Sequence, residues 1–299
     1  MSAIEQLRGV WNIVPTPFRD DASLDEESIG SLVDFVIDTG VDGMTVLGVM
    51  GEAGRLADDE RRRVLELAVA AAAGRIPVCA GVSHAATDRA VAFARDAEAL
   101  GAHSVMLAPP ALAKPNDDAV RAHYAAVAAA ISIPIVVQDH PASSNVWMST
   151  ALLGSIAAAS PQSRVVKLEE EPSPPKVRRL LRESPDVVVL GGLGAMLLIE
   201  ELRAGASGTM TGFGYPDILV AIVRRWFSGD VDGARATFYG AAPLIRFENQ
   251  AGLNLAIRKE IYRRRGAIRS ARVRAPGGQL DAGTVADLDD LLSHLELPA

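Results

Sequence analysis

The sequence predicts an α/β protein, a (β/α)₈ (TIM) barrel with a helical appendage at its C-terminal end. Three observations lead to this fold class: eight short apolar runs, helix-length segments between them, and a wholly helical pattern beyond about residue 229. The apolar runs begin roughly 25–35 residues apart, which is the period of a strand–helix unit. A chain of 299 residues can form two average domains or one large barrel with an extension.

The eight apolar runs are the predicted strands. In chain order they cover residues 11–15, 43–48, 77–83, 104–110, 134–141, 164–170, 187–192 and 207–213. Nearly continuous apolar runs are typical of parallel strands that are covered on both faces. Eight units fit a closed barrel better than a doubly wound open sheet, because such a sheet would leave some of the strands unused.

The segments between the strands carry the terminal signals of helices. Residues 25–40 and 58–74 each begin with acidic side chains and end in glycine, and residues 87–101 repeat the layout. Acidic residues stabilise the N-terminus of a helix, and glycine is favoured just after its C-terminus. These segments are therefore predicted as the helices that cover the barrel.

The barrel is predicted to span residues 1–228 and the C-terminal helical extension residues 229–299. Helices are expected in the extension near 230–250, 253–266 and 283–296. No linker-like composition separates the two parts, so we expect the extension to pack directly on the barrel.

Composition argues against several classes of partner. The net charge is −7 and no basic stripe is present, so a nucleic-acid partner is not expected. The basic run 258–266 repeats Arg258, Tyr262 and Arg265 at helical spacing, which indicates a solvated or interface face. No segment approaches the ~20 apolar residues of a membrane span. The N-terminus lacks signal-peptide features, so we expect a cytoplasmic protein.

The single cysteine, Cys79, lies within an apolar run, and it cannot form an internal disulfide. It is predicted to be a buried, inert thiol.

In a barrel of this type the active site lies at the C-terminal ends of the strands. The candidates at those ends are Thr16, the turn 48–52, Ser83, His84, Gln138, Asp139, His140, Lys167, Glu169, Gly191, Gly192, Thr209 and Thr211.

Lys167 is one of only four lysines, and it ends an apolar strand. Side chains alternate along a strand, so Val165, Lys167 and Glu169 share one face. If that face points into the barrel, burial lowers the pKa of the amine, and a free amine can form a Schiff base with a carbonyl. Glu169 would favour the ammonium, and it could carry a proton once the imine exists. A purely structural Lys–Glu pair is the alternative; a catalytic lysine should have a void beside it.

The turn 48–52 reads Gly-x-x-Gly-Glu and could present backbone N–H groups to a carboxylate, although a plain tight turn has the same pattern. His84 and His140 are candidate acid–base groups or polar rim residues. No His-x-His or His-x₃-His spacing supports a metal site, so none is expected.

Four motifs in order resemble the dihydrodipicolinate synthase/N-acetylneuraminate lyase family. They are "VPTPF" (14–18), "GVMGEAGRL" (48–56), "PIVVQDHP" (134–141) and "VVKLE" (165–169). The resemblance implies that Lys167 forms an imine with a small-molecule 2-oxo acid, without metal or organic cofactor. It also implies a homo-oligomer, either a tetramer or a dimer.

The sequence departs from that family at its usual catalytic helpers. Val49 and Met50 replace two threonines that hold the substrate carboxylate, and Gln138 replaces the catalytic tyrosine. The arginine that binds an aldehyde substrate's carboxylate falls near Ser143. These departures argue against lysine biosynthesis and against an unmodified neuraminate-lyase mechanism.

Further motifs are similar to the 2-keto-3-deoxy-L-arabonate dehydratase branch of the family. They are "SHAAT" (83–87), "VVQDHPAS" (136–143), "GASGTMTGFGYPD" (205–217) and "PLIRFEN" (243–249). The resemblance implies imine formation at C2 of a 3-deoxy-2-oxo sugar acid, proton loss at C3 and loss of the C4 hydroxyl. Three alternatives stay open: a pyruvate-releasing retro-aldolase, a synthase-like condensation, and a catalytically impaired 2-oxo-acid-binding barrel.

The roles that the resemblance implies divide into catalysis and substrate binding. The expected catalytic residues are Lys167, Glu169, Gln138, His140 and His84. The expected substrate-binding residues are Thr16, Gly48, Val49, Met50, Gly192 and Thr211.

Overall fold

The computed structural model describes residue 4, residues 6–114 and residues 116–298. All eight predicted strands are present: β1 (Gly9–Ile13), β2 (Gly43–Val46), β3 (Val78–Gly81), β4 (Ser104–Leu107), β5 (Ile135–Asp139), β6 (Val165–Leu168), β7 (Val188–Leu190) and β8 (Gly208–Thr211). Consecutive strands pair in parallel from β1 to β7, and β1 also pairs with β8. Gly191 closes the ring, because its N–H donates to Gly208 O (3.0 Å) and its carbonyl accepts from Met210 N (2.9 Å). The predicted barrel is confirmed.

The two faces of each strand pack into different clusters. Inside the barrel lies a cluster formed by Leu7, Trp11, Ile13, Cys79, Met106, Val136, Val165, Val188, Leu190 and Met210. Val166 and Leu168 belong instead to the larger cluster between strands and helices. Alternation then places Lys167 on the inner face with Val165, as predicted. Cys79 is fully buried, and its burial raises the pKa of the thiol to about 11.

Helices follow the strands around the barrel. They are α1 (Glu26–Asp38), α2 (Asp58–Ala72), α3 (Thr87–Ala99), α4 (Asp117–Ala128), the single turn α5 (Pro141–Ser144), α6 (Thr150–Ala159), α7 (Ser173–Glu183), α8 (Leu198–Arg203) and α9 (Pro216–Phe227). The predicted acidic starts act as caps: the Asp25 side chain accepts from Ser28 N, and Glu60 accepts from Ala57 N. Such bonds satisfy N–H groups that the first helical turn leaves without partners.

The C-terminal extension consists of α10 (Val231–Glu248), α11 (Asn254–Arg264) and α12 (Ala282–Ser293), close to the predicted positions. Helix α11 lies against the barrel. Its Tyr262 hydroxyl accepts from Asn12 Nδ2 on β1 (2.7 Å) and donates to Phe213 O beyond β8 (3.1 Å). The domain boundary near residue 228 stays a prediction.

Of the two interpretations of the 258–266 run, a solvated face or an interface face, the solvated one is wrong for its helical repeat. Arg258 is 4% exposed and Tyr262 1% exposed. Arg265 donates to Gly214 O (3.1 Å) and pairs with Asp217 (3.0 Å). The spacing identified one helix face correctly, but that face packs on the barrel, where each cation has an acceptor.

Within the described residues, no helix combines the length and apolar character that crossing a membrane requires.

Candidate active site

Lys167 is the centre of the candidate site. It lies on the inner face of β6, and its side chain is 3% exposed. Nζ lies 2.5 Å from Glu169 Oε2. Because Glu169 lies one residue beyond the end of β6, strand alternation brings both side chains to the mouth of the barrel.

Glu169 gathers the other polar groups of the site. Its Oε2 also accepts from Gln138 Nε2 on β5 (3.0 Å), and its Oε1 accepts from Leu193 N (3.3 Å). Burial alone would raise the pKa of this carboxyl, but the charges of Lys167 and His140 and the hydrogen bonds bring it below its usual value. Glu169 is therefore an ionised acceptor beside an amine.

Gly192 makes room for the Glu169 side chain. A Cβ at position 192 would lie 2.4 Å from Glu169 Cγ and 2.5 Å from its Oε1, so no larger residue fits. The next three residues, Leu193, Gly194 and Ala195, all have left-handed backbone conformations, two of them in residues with a side chain. Such conformations cost free energy and often occur at functional sites.

His140 follows β5 directly and is half-buried near Glu169. Its Nδ1 lies 2.8 Å from Ser143 Oγ. Burial lowers the pKa of His140, while Glu169 opposes the shift. Burial and the Glu169 charge therefore act on His140 in opposite directions.

Asp139 takes no part in this cluster. It lies on the outer face of β5 and pairs with Lys176 (2.5 Å), and burial raises its pKa to about 6.

The turn 48–52 closes another side of the mouth. Thr16 Oγ1 donates to Gly51 O (2.6 Å), and Gly51 N donates back to Gly48 O (3.0 Å), so Thr16 braces the turn. Val49 is 57% exposed and Met50 is partly buried. Their side chains offer no hydroxyl where the resemblance leads one to expect it.

A cavity of about 250 Å³ opens between the turn and the ends of β3, β4 and β5. Its wall includes Gly48, Val49, His84 and Gln138. Lys167 is not among the residues that line this cavity, so the cavity reaches Gln138 and does not supply the void that was expected beside a catalytic lysine. His84 is exposed, and its Nδ1 accepts from Ala86 N (3.0 Å).

Thr211 lies behind the site rather than inside it. It alternates with Met210, which faces the barrel interior, and its Oγ1 accepts from Gly194 N (2.9 Å). The threonine thus supports the turn that donates to Glu169. Its predicted contact with substrate stays a prediction, as do the roles of the other site residues.

Several buried charges near the site were not found from the sequence. Arg258 lies beside Met50, Lys259 pairs with Glu52 (2.5 Å), and the Glu201 carboxyl is fully buried. The scarcity of lysine was a usable signal for Lys259, because only four occur in the chain. Among the described residues, no group of three or more His, Cys, Asp or Glu side chains is arranged to hold a metal ion.

A family model, curated relatives and solved structures all relate this chain to one protein family. Residues 6–295 match the Dihydrodipicolinate synthetase family. An L-2-keto-3-deoxyarabonate dehydratase of Azospirillum brasilense is 37% identical, over 99% of this chain and 96% of its own. A 4-hydroxy-tetrahydrodipicolinate synthase of Methanosphaerula palustris is 30% identical, over 95% of this chain and 98% of its own. The crystal structure of a dihydrodipicolinate synthase from Rhodopseudomonas palustris superposes with a TM-score of 0.90 at 33% identity, over 97% of this chain and 98% of that one.

Proposed function

The chain belongs to the dihydrodipicolinate synthetase family of lyases, and from this premise we propose that it dehydrates a 3-deoxy-2-oxo sugar acid through a Schiff base on Lys167. The observation that carries the proposal is that Lys167 Nζ, on the inner face of β6 at the barrel mouth, has Glu169 as its single hydrogen-bond partner among the described residues. The 37% identity to an L-2-keto-3-deoxyarabonate dehydratase supports the choice of substrate class.

Imine formation begins with the loss of a proton from the Lys167 ammonium, and Glu169 is placed to accept it. The free amine then adds to the C2 carbonyl carbon, and the carbonyl oxygen leaves as water after it takes one proton from the nitrogen and the proton held by Glu169, which is ionised again. The product is a protonated imine, which withdraws electrons from C3.

Elimination follows from that electron withdrawal. A base removes a proton from C3, and the C–H electrons form an enamine. The enamine expels the C4 hydroxyl, which takes up a proton and leaves as water. Hydrolysis of the imine then releases the product and restores the amine. Glu169 is our candidate base because it is ionised and held by Gln138. His140 and His84 are candidates for the acid at C4.

The proposal includes several expectations from the sequence. The substrate is a small-molecule 2-oxo acid bound near Thr16, Gly48, Val49, Met50 and Gly192. The reaction needs neither metal nor organic cofactor, and the protein works in the cytoplasm as a homo-oligomer.

The decisive experiment maps covalent adducts. The protein is incubated with pyruvate or with 3-deoxy-2-oxo pentonates, reduced with borohydride and analysed by mass spectrometry, and products are identified in parallel. We expect an adduct at Lys167, with Lys114, Lys176 and Lys259 as internal controls. Dehydrated product supports the proposal, whereas released pyruvate identifies a retro-aldolase. An adduct without turnover identifies a binding protein, and no adduct with any compound refutes the Schiff base.

A further inference from the structure

Arg258 on α11 is buried next to the turn 48–52. Its Nε donates to Glu248 Oε2 (3.1 Å), and its Nη2 donates to Asn249 Oδ1 (3.0 Å). The third nitrogen, Nη1, faces Met50 Sδ at 3.2 Å. The Arg258 side chain is only 5% exposed, so water contributes little to these N–H groups. Two nitrogens therefore have oxygen acceptors, and the third has a thioether.

A thioether is a poor partner for a buried guanidinium. Methionine sulfur is a weak hydrogen-bond acceptor, whereas a bond from arginine to a carboxylate oxygen is shorter and about twice as strong as a neutral one. Of the three nitrogens, Nη1 would gain most from an anionic oxygen. Position 50 is also where the family resemblance leads one to expect a hydroxyl that holds the substrate carboxylate.

Nη1 is closely packed, so a ligand would reach it through the space that the Met50 side chain now fills. A Cβ at Gly212, which directly follows β8, would lie only 3.3 Å from Nη1 and 3.4 Å from Met50 Cγ, so Gly212 offers no room of its own. Methionine is unbranched and changes rotamer readily. Met50 is only partly buried, so its side chain can turn away from Arg258 without leaving a closed cavity.

Arg258 is also connected to the reacting lysine. Asn249, its Nη2 partner, donates to Gly194 O (3.2 Å). The residue before Gly194 donates its N–H to Glu169, the partner of Lys167. A continuous set of hydrogen bonds thus joins the guanidinium and the amine across the β7–α8 turn.

The carboxylate of Glu248 engages one of the three Arg258 nitrogens. Glu248 is fully buried; it accepts from Arg258 Nε (3.1 Å) and from Gly214 N (3.1 and 3.2 Å). Burial raises the pKa of this carboxyl, and the Arg258 charge opposes the shift. The carboxylate therefore leaves Nη1 without an anionic oxygen.

We propose that Arg258 binds the carboxylate of the 2-oxo acid through Nη1, displacing the Met50 sulfur and replacing the threonine hydroxyls that this chain lacks. The inference rests on the proposed function, because it names the residue that binds the carboxylate of the same substrate. It makes the C-terminal extension part of the active site, since the arginine comes from α11.

The test compares a charged ligand with a neutral one of the same shape. Pyruvate and pyruvamide are titrated calorimetrically into wild-type protein, K167M and K167M/R258M. Because the K167M background forms no imine, binding through Arg258 is measured separately from the Schiff base. We expect R258M to weaken pyruvate binding by about 10- to 100-fold, the size of a charge-assisted hydrogen bond, and to leave pyruvamide unchanged. R258K should give an intermediate loss, since it keeps the charge without the second N–H direction.

Two further variants separate binding from folding. R258M/E248Q leaves no unpaired buried carboxylate, so it should keep the selective loss of pyruvate even if R258M alone unfolds. R264M changes an arginine of the same helix that pairs with Glu260 and Asp289, and it should bind as wild type does. Equal effects of R258M on both ligands, no effect on either, or no pyruvate binding in the K167M background would overturn the assignment. Loss of the Lys167 adduct with selective pyruvate binding intact would refute only the proposed reaction.

Discussion

Two buried lysine–glutamate pairs in this protein have the same distance between nitrogen and oxygen but different surroundings. Nζ of Lys167 lies 2.5 Å from Glu169, and Nζ of Lys259 lies 2.5 Å from Glu52. All four side chains are at most 8% exposed. Distance and burial therefore do not distinguish the amine for which we propose a reaction from the amine of Lys259.

The partners of each amine do distinguish them. Lys259 Nζ also donates to Arg272 O (2.7 Å) and lies 4.5 Å above the Phe18 ring, and Glu52 accepts from Arg274 N (2.9 Å). Lys167, among the described residues, has Glu169 as its single hydrogen-bond partner. Lys259 is held on several sides and connects α11 to the turn 48–52, whereas Lys167 is held by one carboxylate.

The largest expected effect is on activity, from K167M. Without the amine no imine forms, so turnover of a 3-deoxy-2-oxo sugar acid should fall by about 10³-fold or more. Borohydride should trap no pyruvate adduct. K167M/E169Q serves as the control for folding, because K167M alone leaves a buried carboxylate without its cation. Turnover that survives in K167M would show that the two pairs are both structural.

The next effect is on stability, from K259M. It breaks a buried ion pair and leaves Glu52 with Arg55 (2.8 Å) as its remaining cation, so we expect a loss of about 3 kcal/mol of unfolding free energy, the lower end for a broken buried pair. Urea denaturation measures this loss, and K259M/E52Q should recover part of it. The folded variant should still form the adduct at Lys167. Wild-type stability of K259M would contradict the structural role given to this pair.

A rate effect without loss of the adduct is expected from E169Q. An amide cannot accept the proton, so turnover should slow by about 10²- to 10⁴-fold while pyruvate is still trapped at Lys167. E171Q, the same change at an exposed site two residues later, is the matched control. Unchanged steady-state turnover in E169Q would assign the proton transfer to another residue, with His140 and His84 the next candidates.

The smallest effect concerns Glu201, a buried carboxyl that has no cation partner within the described part of the chain. Its Oε1 accepts from Ser173 Oγ (2.6 Å), its Oε2 has no described partner, and burial raises its pKa from 4.5 to about 7. Between these values the folded protein binds more protons than the unfolded chain. This group's contribution to stability is therefore complete below pH 4.5 and is lost as the pH rises through 7.

E201Q cannot ionise, so its melting temperature should fall less than that of wild type between pH 5 and pH 8. E200Q, the same change at the adjacent and partly exposed residue, should keep the wild-type slope. Parallel melting curves for wild type and E201Q would show that a buried carboxyl without a cation is tolerated in its charged form.

The strands, the inward face of Lys167 and the glutamate beside it could all be predicted from the sequence. Each depends on a local period: apolar runs repeat with the strand–helix unit, and side chains alternate along β6. The same local reasoning found the helix face of Arg258, Tyr262 and Arg265 but gave it the wrong environment. Spacing defines which residues share a face, and it does not say what covers that face.

Long-range contacts decided the rest. Lys259 and Glu52 are 207 positions apart, as Arg258 and Met50 are 208 apart, and no local pattern links them. Thr211 belongs to a strand end, as predicted, but its alternation with Met210 turns it behind the site. By itself the sequence determined the barrel and the inward-facing position of Lys167, because both follow from the backbone period. Only the tertiary structure determined which partners the buried side chains of Arg258 and Lys259 contact, because those contacts depend on how the last helices pack on the barrel.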